Sequence, residues 1–147
     1  MKIGIGNDHG ATDLKLELVA YLEAKGYEVV NYGIDNHESI DYPIIAEKVA
    51  KAVVNQEVDR AILMCGTGIG VSLAANKVNG IRAACVSDCF SAKMAREHNN
   101  ANILCFGGRV VGPELAKLIV DSYLETEFLG GRHQRRVDLI TDIQERN

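Results

Sequence analysis

Residues Ala61–Lys77 read AILMCGTGIGVSLAANK, and this stretch decides how the chain folds. Ala61–Met64 is apolar without a polar break, as expected of a strand buried on both faces. The run ends in Cys65. Gly66-Thr67-Gly68-Ile69-Gly70 is a glycine-rich turn, and Val71–Lys77 can be helical. A strand, a tight loop and a helix start set a thiol beside free backbone N–H groups, which favour anions and thiolates. No Gly-Lys-Ser/Thr follows, so the loop is not a Walker A motif. Gly66-x-Gly68-x-Gly70, placed after a third strand, is not the dinucleotide fingerprint either. Alone, such a turn is equally a plain strand-to-helix connection; its neighbours give it a chemical meaning.

Working outward, strands and helices alternate. Strands are expected at Lys2–Ile5, Glu28–Tyr32, Arg60–Cys65, Ile81–Ser87 and Ile103–Phe106. Thr12–Lys25 carries Leu14, Leu18 and Leu22 at helical spacing and is stopped by Gly26. Gly33–Tyr42 is a polar loop. Pro43 suits a first helical turn, and Ile45, Val49, Ala52 and Val53 give that helix its apolar face. The helix after the glycine loop ends near Asn79-Gly80. Ser87 or Asp88 can cap the next one, which runs to about His98. Pro113 opens a helix with Leu115, Leu118, Ile119 and Tyr123 on its apolar side. After Gly130-Gly131, Arg132–Glu145 is a last helix with Val137, Ile140 and Ile143 facing inward.

This alternation predicts an α/β fold, a three-layer α/β/α sandwich around a five-stranded parallel sheet. Ligands in such folds bind beyond the carboxyl ends of the strands. Those ends carry Asp8-His9, Cys65-Gly66-Thr67, Ser87-Asp88 and Gly107-Gly108-Arg109. No repeat or linker divides the 147 residues, so one domain spanning residues 1–147 is expected.

The chain is 47% apolar and 24% charged with a net charge of −4, which argues against nucleic-acid or anionic-membrane binding. Five Tyr, three Phe and no Trp leave little for a base-stacking surface. No apolar stretch approaches the roughly 20 residues of a membrane span, and no signal peptide is expected, which makes the cytoplasm the expected location. Cys65, Cys85, Cys89 and Cys105 form no CxxC pair, so neither a zinc site nor a disulfide framework is read. Cys85 and Cys105, inside expected strands, are read as structural.

Cys65 would be core on its own, but beside the loop it can act as base or nucleophile. Thr67 supplies a hydroxyl or merely caps the helix. Asp8-His9 is a capping pair or a metal half-site; no further His/Asp cluster completes a metal centre, so no metal is expected. His98 either complements a helix C-terminus or serves as an acid–base group. Arg132 and Arg136 are four apart in an otherwise acidic chain and can converge on one anion, with Arg109 joining them; the plainer reading is a solvated basic turn. Together these groups suit proton abstraction beside the carbonyl of a sugar phosphate, through an enediolate.

The same residues carry a resemblance. Gly6–Gly10, Asp41-Tyr42-Pro43, Cys65–Gly70, Ala74–Lys77, Gly80–Ala83, Arg96–Asn99, Gly107–Gly112 and Gly130–His133 together resemble the family of type B ribose-5-phosphate isomerases and galactose-6-phosphate isomerase subunits. The resemblance spans nearly the whole chain. It implies a Rossmann-like fold, no cofactor, and a homodimer with the site at the subunit interface. It further implies that Cys65 is the base, that Thr67 assists on the oxygens, and that the Gly66, Gly68 and Gly70 region stabilises the enediolate. Asp8 and His98 would serve ring opening. His9, Arg109, Arg132 and Arg136 would hold the phosphate, and Tyr42 and Asn99 would line the sugar. Val71 stands where one branch of the family carries a Glu base, which places this chain with the Cys branch. Ala11-Thr12-Asp13, loop Gly33–Ser39 and Asp88-Cys89-Phe90 depart from the common pattern. They leave a hexose 6-phosphate, such as allose 6-phosphate or galactose 6-phosphate, as the alternative substrate. A binding module for a sugar phosphate or flavin is the non-enzymatic alternative.

Overall fold

The computed structural model describes residues 1–147. Five parallel strands form one sheet: β1 (Lys2–Asn7), β2 (Glu28–Asn31), β3 (Arg60–Cys65), β4 (Ala83–Cys85) and β5 (Ile103–Gly107). Their spatial order is β2-β1-β3-β5-β4. Six helices connect and flank them: α1 (Thr12–Ala24), α2 (Tyr42–Val54), α3 (Ile69–Ala75), α4 (Cys89–Glu97), α5 (Pro113–Leu124) and α6 (Arg132–Glu145). The expected three-layer architecture is therefore present.

The period-2 alternation of the strands sorts the core into two layers. Ile3, Ile5, Ile62, Met64, Leu104 and Phe106 face one side, against Leu14, Leu18 and Leu22 of α1 and Ile119, Val120 and Tyr123 of α5. Ala61, Leu63, Cys65, Ile103 and Cys105 face the other, against Ile45, Val49 and Val53 of α2 and Val71 and Ala75 of α3. The chain leaves β1 for β2, then returns to β3 on β1's opposite side. The helices after β1 and β3 therefore pack on opposite faces of the sheet, and the carboxyl ends of these two strands mark the switch point at which such sheets bind ligands.

Three expectations from sequence are corrected. β4 covers only Ala83–Cys85 rather than Ile81–Ser87. It is an edge strand with one partner, and Arg82 N–H is drawn away to the Asn102 side chain at 2.8 Å. On α5, Ile119 and Tyr123 are buried, but Leu115 and Leu118 are exposed; Ala116, Val120 and Leu124 complete the inward face instead. On α6 only His133 and Val137 are buried, and Ile140 and Ile143 lie exposed. The expected inward face of this helix is thus largely an outward apolar stripe.

No helix is long and apolar enough to cross a membrane. The neighbours on α5 give a direct test of the packing. Ile119→Ala should cost about 2–5 kcal/mol of unfolding free energy, as a large-to-small change in a closed core does. Leu118→Ala should cost less than about 0.5 kcal/mol. Urea unfolding followed by circular dichroism reads both.

Candidate active site

Three loops meet at the carboxyl edge of β1, β3 and β5. Cys65 ends β3, is 5% exposed, and its Sγ accepts the N–H of Gly68 at 3.1 Å. Gly68 has φ +82° and its backbone presses on that of Phe106, where a Cβ would approach to 2.6 Å. Only glycine meets both conditions, so the loop can fold back over the thiol. Thr67 is exposed and its Oγ1 accepts the N–H of Ile69 at 3.2 Å, as a cap would. The β5 loop closes the other side: Gly108 N–H donates to Cys65 O at 2.8 Å and Arg109 N–H to Gly66 O at 3.1 Å. The Arg109 guanidinium lies over Gly66, with Nη1 3.1 Å from where a Cβ would stand.

The β1 loop completes this rim. Asp8 is buried, and its Oδ1 accepts the N–H of Gly10 at 2.8 Å. A Cβ on Gly10 would lie 2.9 Å from the Gly66 nitrogen, so the two loops touch. His9 Nδ1 accepts the N–H of Ile40 at 3.3 Å, which leaves its Nε2 as the protonated nitrogen, a donor suited to an anion. The Tyr42 ring, at the start of α2, rests against Gly70. Asp8, His9, Tyr42, Cys65, Gly66, Thr67, Gly68, Gly70 and Arg109 are thereby brought to one edge.

Loop Gly33–Ile40 borders this rim and is fastened to α1. Thr12 Oγ1 donates to Asn36 O at 2.8 Å, and His37 Nε2 lies 2.9 Å from Asp13 Oδ1. The fully buried Lys15 ammonium pairs with Asp35 and with Asn31 Oδ1. Lys15 holds the Asp35 carboxyl below its ordinary range, with Asn31 assisting. Two of the three sequence departures, residues 11–13 and 33–39, are thus parts of one packed unit; the third, residues 88–90, caps and opens α4.

His98, Asn99, Arg132 and Arg136 lie elsewhere. His98 caps the C-terminus of α4, and the following turn leads into the start of β5, where Asn102 O accepts Ala61 N–H at 3.1 Å. That is the amino edge of the sheet, the length of a strand away from Cys65, roughly 17–20 Å. Leu129 N–H donates to Glu97 O at 3.1 Å, so the segment before α6 sits on the end of α4 and brings Arg132 and Arg136 near His98. Within a single copy of the chain, these candidate residues therefore form two groups on opposite edges.

The cysteines divide differently from expectation. Cys105 is fully buried, and burial holds its thiol well above the usual range, as for a structural residue. Cys85 is exposed at the end of edge strand β4, with Sγ 3.9 Å from Thr67 O, so it is not a core residue. Sequence reading also passes over His133, which is buried and stacked on His98. Its signals in the sequence are its place at the end of the Gly130–His133 motif and between Arg132 and Arg136, where the run reads as an anion-binding or a solvated basic turn, and neither gives the ring a role of its own. No group of three His, Cys, Asp or Glu side chains is placed to hold a metal ion.

Comparison with known proteins supplies the family. The family model described as Ribose/Galactose Isomerase matches residues 3–140. The chain is 52% identical over 145 residues to ribose-5-phosphate isomerase B of Escherichia coli K12, covering 99% of this chain and 97% of that protein. Ribose-5-phosphate isomerase B of Clostridium thermocellum has the same fold, with a TM-score of 0.98 at 54% identity and 99% of each chain covered. The ribose 5-phosphate isomerase of Thermotoga maritima matches with a TM-score of 0.94 at 50% identity, over 96% of this chain and 97% of that one. Matched along nearly its full length by sequence and by fold, the chain belongs to the ribose/galactose isomerase family.

Proposed function

We propose that this chain is an aldose–ketose isomerase interconverting ribose 5-phosphate and ribulose 5-phosphate, and that it works as a single-domain homodimer sharing each site between two copies. The separation of the two half-sites carries the dimer reading: Cys65 stands on one edge and His98 on the other. A two-fold partner set antiparallel brings the His98 edge of one copy over the Cys65 edge of the other, and does so twice. Exposed Ile69 and Leu73 on α3, beside the thiol loop, and Leu139, Ile140 and Ile143 on α6 are apolar surface for such a contact.

The chemistry then follows from the groups. The closed sugar opens with help from Asp8 and from His98 of the second copy. Cys65 removes the proton from C2 of the aldehyde, and the negative charge moves to the carbonyl oxygen. N–H groups of the Gly66–Gly70 loop are preorganised donors for that oxygen. The Thr67 hydroxyl passes a proton between O1 and O2, and the thiol returns its proton to C1. His9 and Arg109 from one copy, with Arg132 and Arg136 from the other, hold the phosphate at the far end of the sugar; Arg is suited to this by its planar fork of donors. Tyr42 and Asn99 border the carbon chain.

Residues 11–13 and 33–40 form the wall whose contacts would set the length of sugar accepted. A ranking of kcat/KM across ribose 5-phosphate, allose 6-phosphate and galactose 6-phosphate should place ribose 5-phosphate first, and EDTA should leave its turnover unchanged. A hexose phosphate in first place overturns the pentose reading. Cys65→Ala should lower kcat by about 10²–10⁴-fold while the thermal melt is retained. Cys65→Ala and His98→Ala chains, each inactive alone, should regain roughly a quarter of wild-type activity when co-refolded in equal amounts. Half of the dimers are then mixed, and each mixed dimer has one intact site. No recovery in the mixture would place both residues in a site within one chain.

A further inference from the structure

The rings of His98 and His133 are stacked, with centroids 4.2 Å apart and planes 10° from parallel. His133 is 8% exposed, whereas Arg132 and Arg136 on the same turn of α6 are open to solvent. One position on from Arg132 is about 100° around the helix, so His133 points away from the arginine face. It is also one of only two inward-facing residues that α6 buries.

The backbone is built to deliver this ring. Gly130 and Gly131 both have positive φ, +67° and +58°, and Gly131 with ψ −128° occupies a region open to glycine. The segment before them is tied to α4 by Leu129 N–H on Glu97 O and by Arg96 Nε on Thr126 O at 3.4 Å. His133's own N–H donates to Gly130 O at 3.1 Å.

The turn that carries His98 is held as firmly from below. Arg96 Nη1 donates to Asn100 Oδ1 at 2.9 Å and to Ala101 O at 2.7 Å. Arg82 Nη2 donates to Asn100 O at 3.0 Å, and Asn100 itself has φ +47°. The main chain under His98 is therefore fixed by two arginines, and the remaining freedom is the rotation of its ring. The stacked His133 ring is placed to restrict it.

We propose that His133 is a positioning residue: its buried imidazole backs the His98 ring and sets the plane in which His98 takes part in opening the closed sugar. The proposal rests on the isomerase reading above. In that step the C1–O4 bond breaks, O4 gains a proton and the C1 hydroxyl loses one, so nothing is oxidised and no co-reactant is consumed. The charged and titratable groups around His133 are Glu97 and His98 on α4, and Arg132 and Arg136 on α6. Burial first, then His98 and the two arginines, hold the His133 imidazole below its ordinary range, with Glu97 opposing. These surroundings disfavour charge on the His133 ring, and its flat face is what it offers His98.

Ring opening can be separated from proton transfer by choice of substrate. Ribose 5-phosphate arrives as a furanose closed through O4. Erythrose 4-phosphate carries its phosphate on O4, so that furanose cannot form. Full-length wild type, His133→Ala and His133→Phe are assayed on both sugars. His133→Ala should lose about tenfold or more in kcat on ribose 5-phosphate with KM little changed, and stay within about twofold of wild type on erythrose 4-phosphate. His133→Phe, which keeps a flat ring, should stay within about threefold of wild type on both.

Parallel losses on the two sugars, or no loss on either, overturn the positioning role. Should the Ala variant fail to fold, the Phe variant decides: a tenfold loss on ribose 5-phosphate overturns the proposal. If wild type does not use the tetrose, solvent-deuterium exchange at C1 of ribulose 5-phosphate, also an open chain, replaces it with the same expected outcomes. Wild type inert on all of these sugars removes the isomerase reading and this inference with it, whereas active wild type with an unaffected Ala variant removes this inference alone.

Discussion

Everything at the thiol edge depends on one close approach, that of the Gly66–Gly70 loop to the end of β5. Cys65 and Gly107 are neighbours in register, and beyond them the chain has room only for backbone: Gly68 against Phe106, Gly107 against Gly66 and Thr67. Because no side chain stands between these segments, the loop folds back far enough for the Gly68 N–H to reach the sulfur. The same contact sets Arg109 above Gly66 and brings Gly10 to the Gly66 nitrogen. A looser junction would still be a strand followed by a helix, but its amides and its thiol would not share a focus.

The parts of this that could be read from sequence are those that rest on local chemistry. Ala61–Cys65 and Ile103–Phe106 are apolar on every residue because both faces of a central parallel strand are covered. Leu14, Leu18 and Leu22, and likewise Ile45, Val49 and Val53, are buried as their spacing requires. Asp88 caps α4 through the N–H of Ser91 at 2.7 Å, one of the two caps that the sequence offers. Most of the thiol edge was readable for a similar reason: all its members but Tyr42 lie at or just beyond the end of β1, β3 or β5.

What could not be read depends on surfaces that meet from afar. Leu118 is as apolar as Ile119, and only the direction of the neighbouring helix decides which of them is covered. Ile140 and Ile143 keep a helical period yet remain exposed, since a period says that a face is apolar and not what lies against it. Cys85 reads as core until β4 proves to be the sheet's edge. His133 is hidden for the opposite reason. It stands in a run of charge, and its burial follows from a tie between Leu129 and Glu97, 32 residues apart in sequence, that no short-range pattern announces.

The fastening of loop Gly33–Ile40 bears on how such a protein can change. Lys15 has no exposed side-chain surface, and its partners Asp35 and Asn31 lie in and before the loop. Remove Asp35, and a cation is stranded inside the protein; remove Lys15, and the loop loses its bolt. Thr12 and Asp13 add further ties to Asn36 and His37. Residues 12–15 and 31–37 therefore behave as a cassette. In the divergence of one such protein from another, or in a graft made at the bench, the wall and the helix end that anchors it have to change hands together.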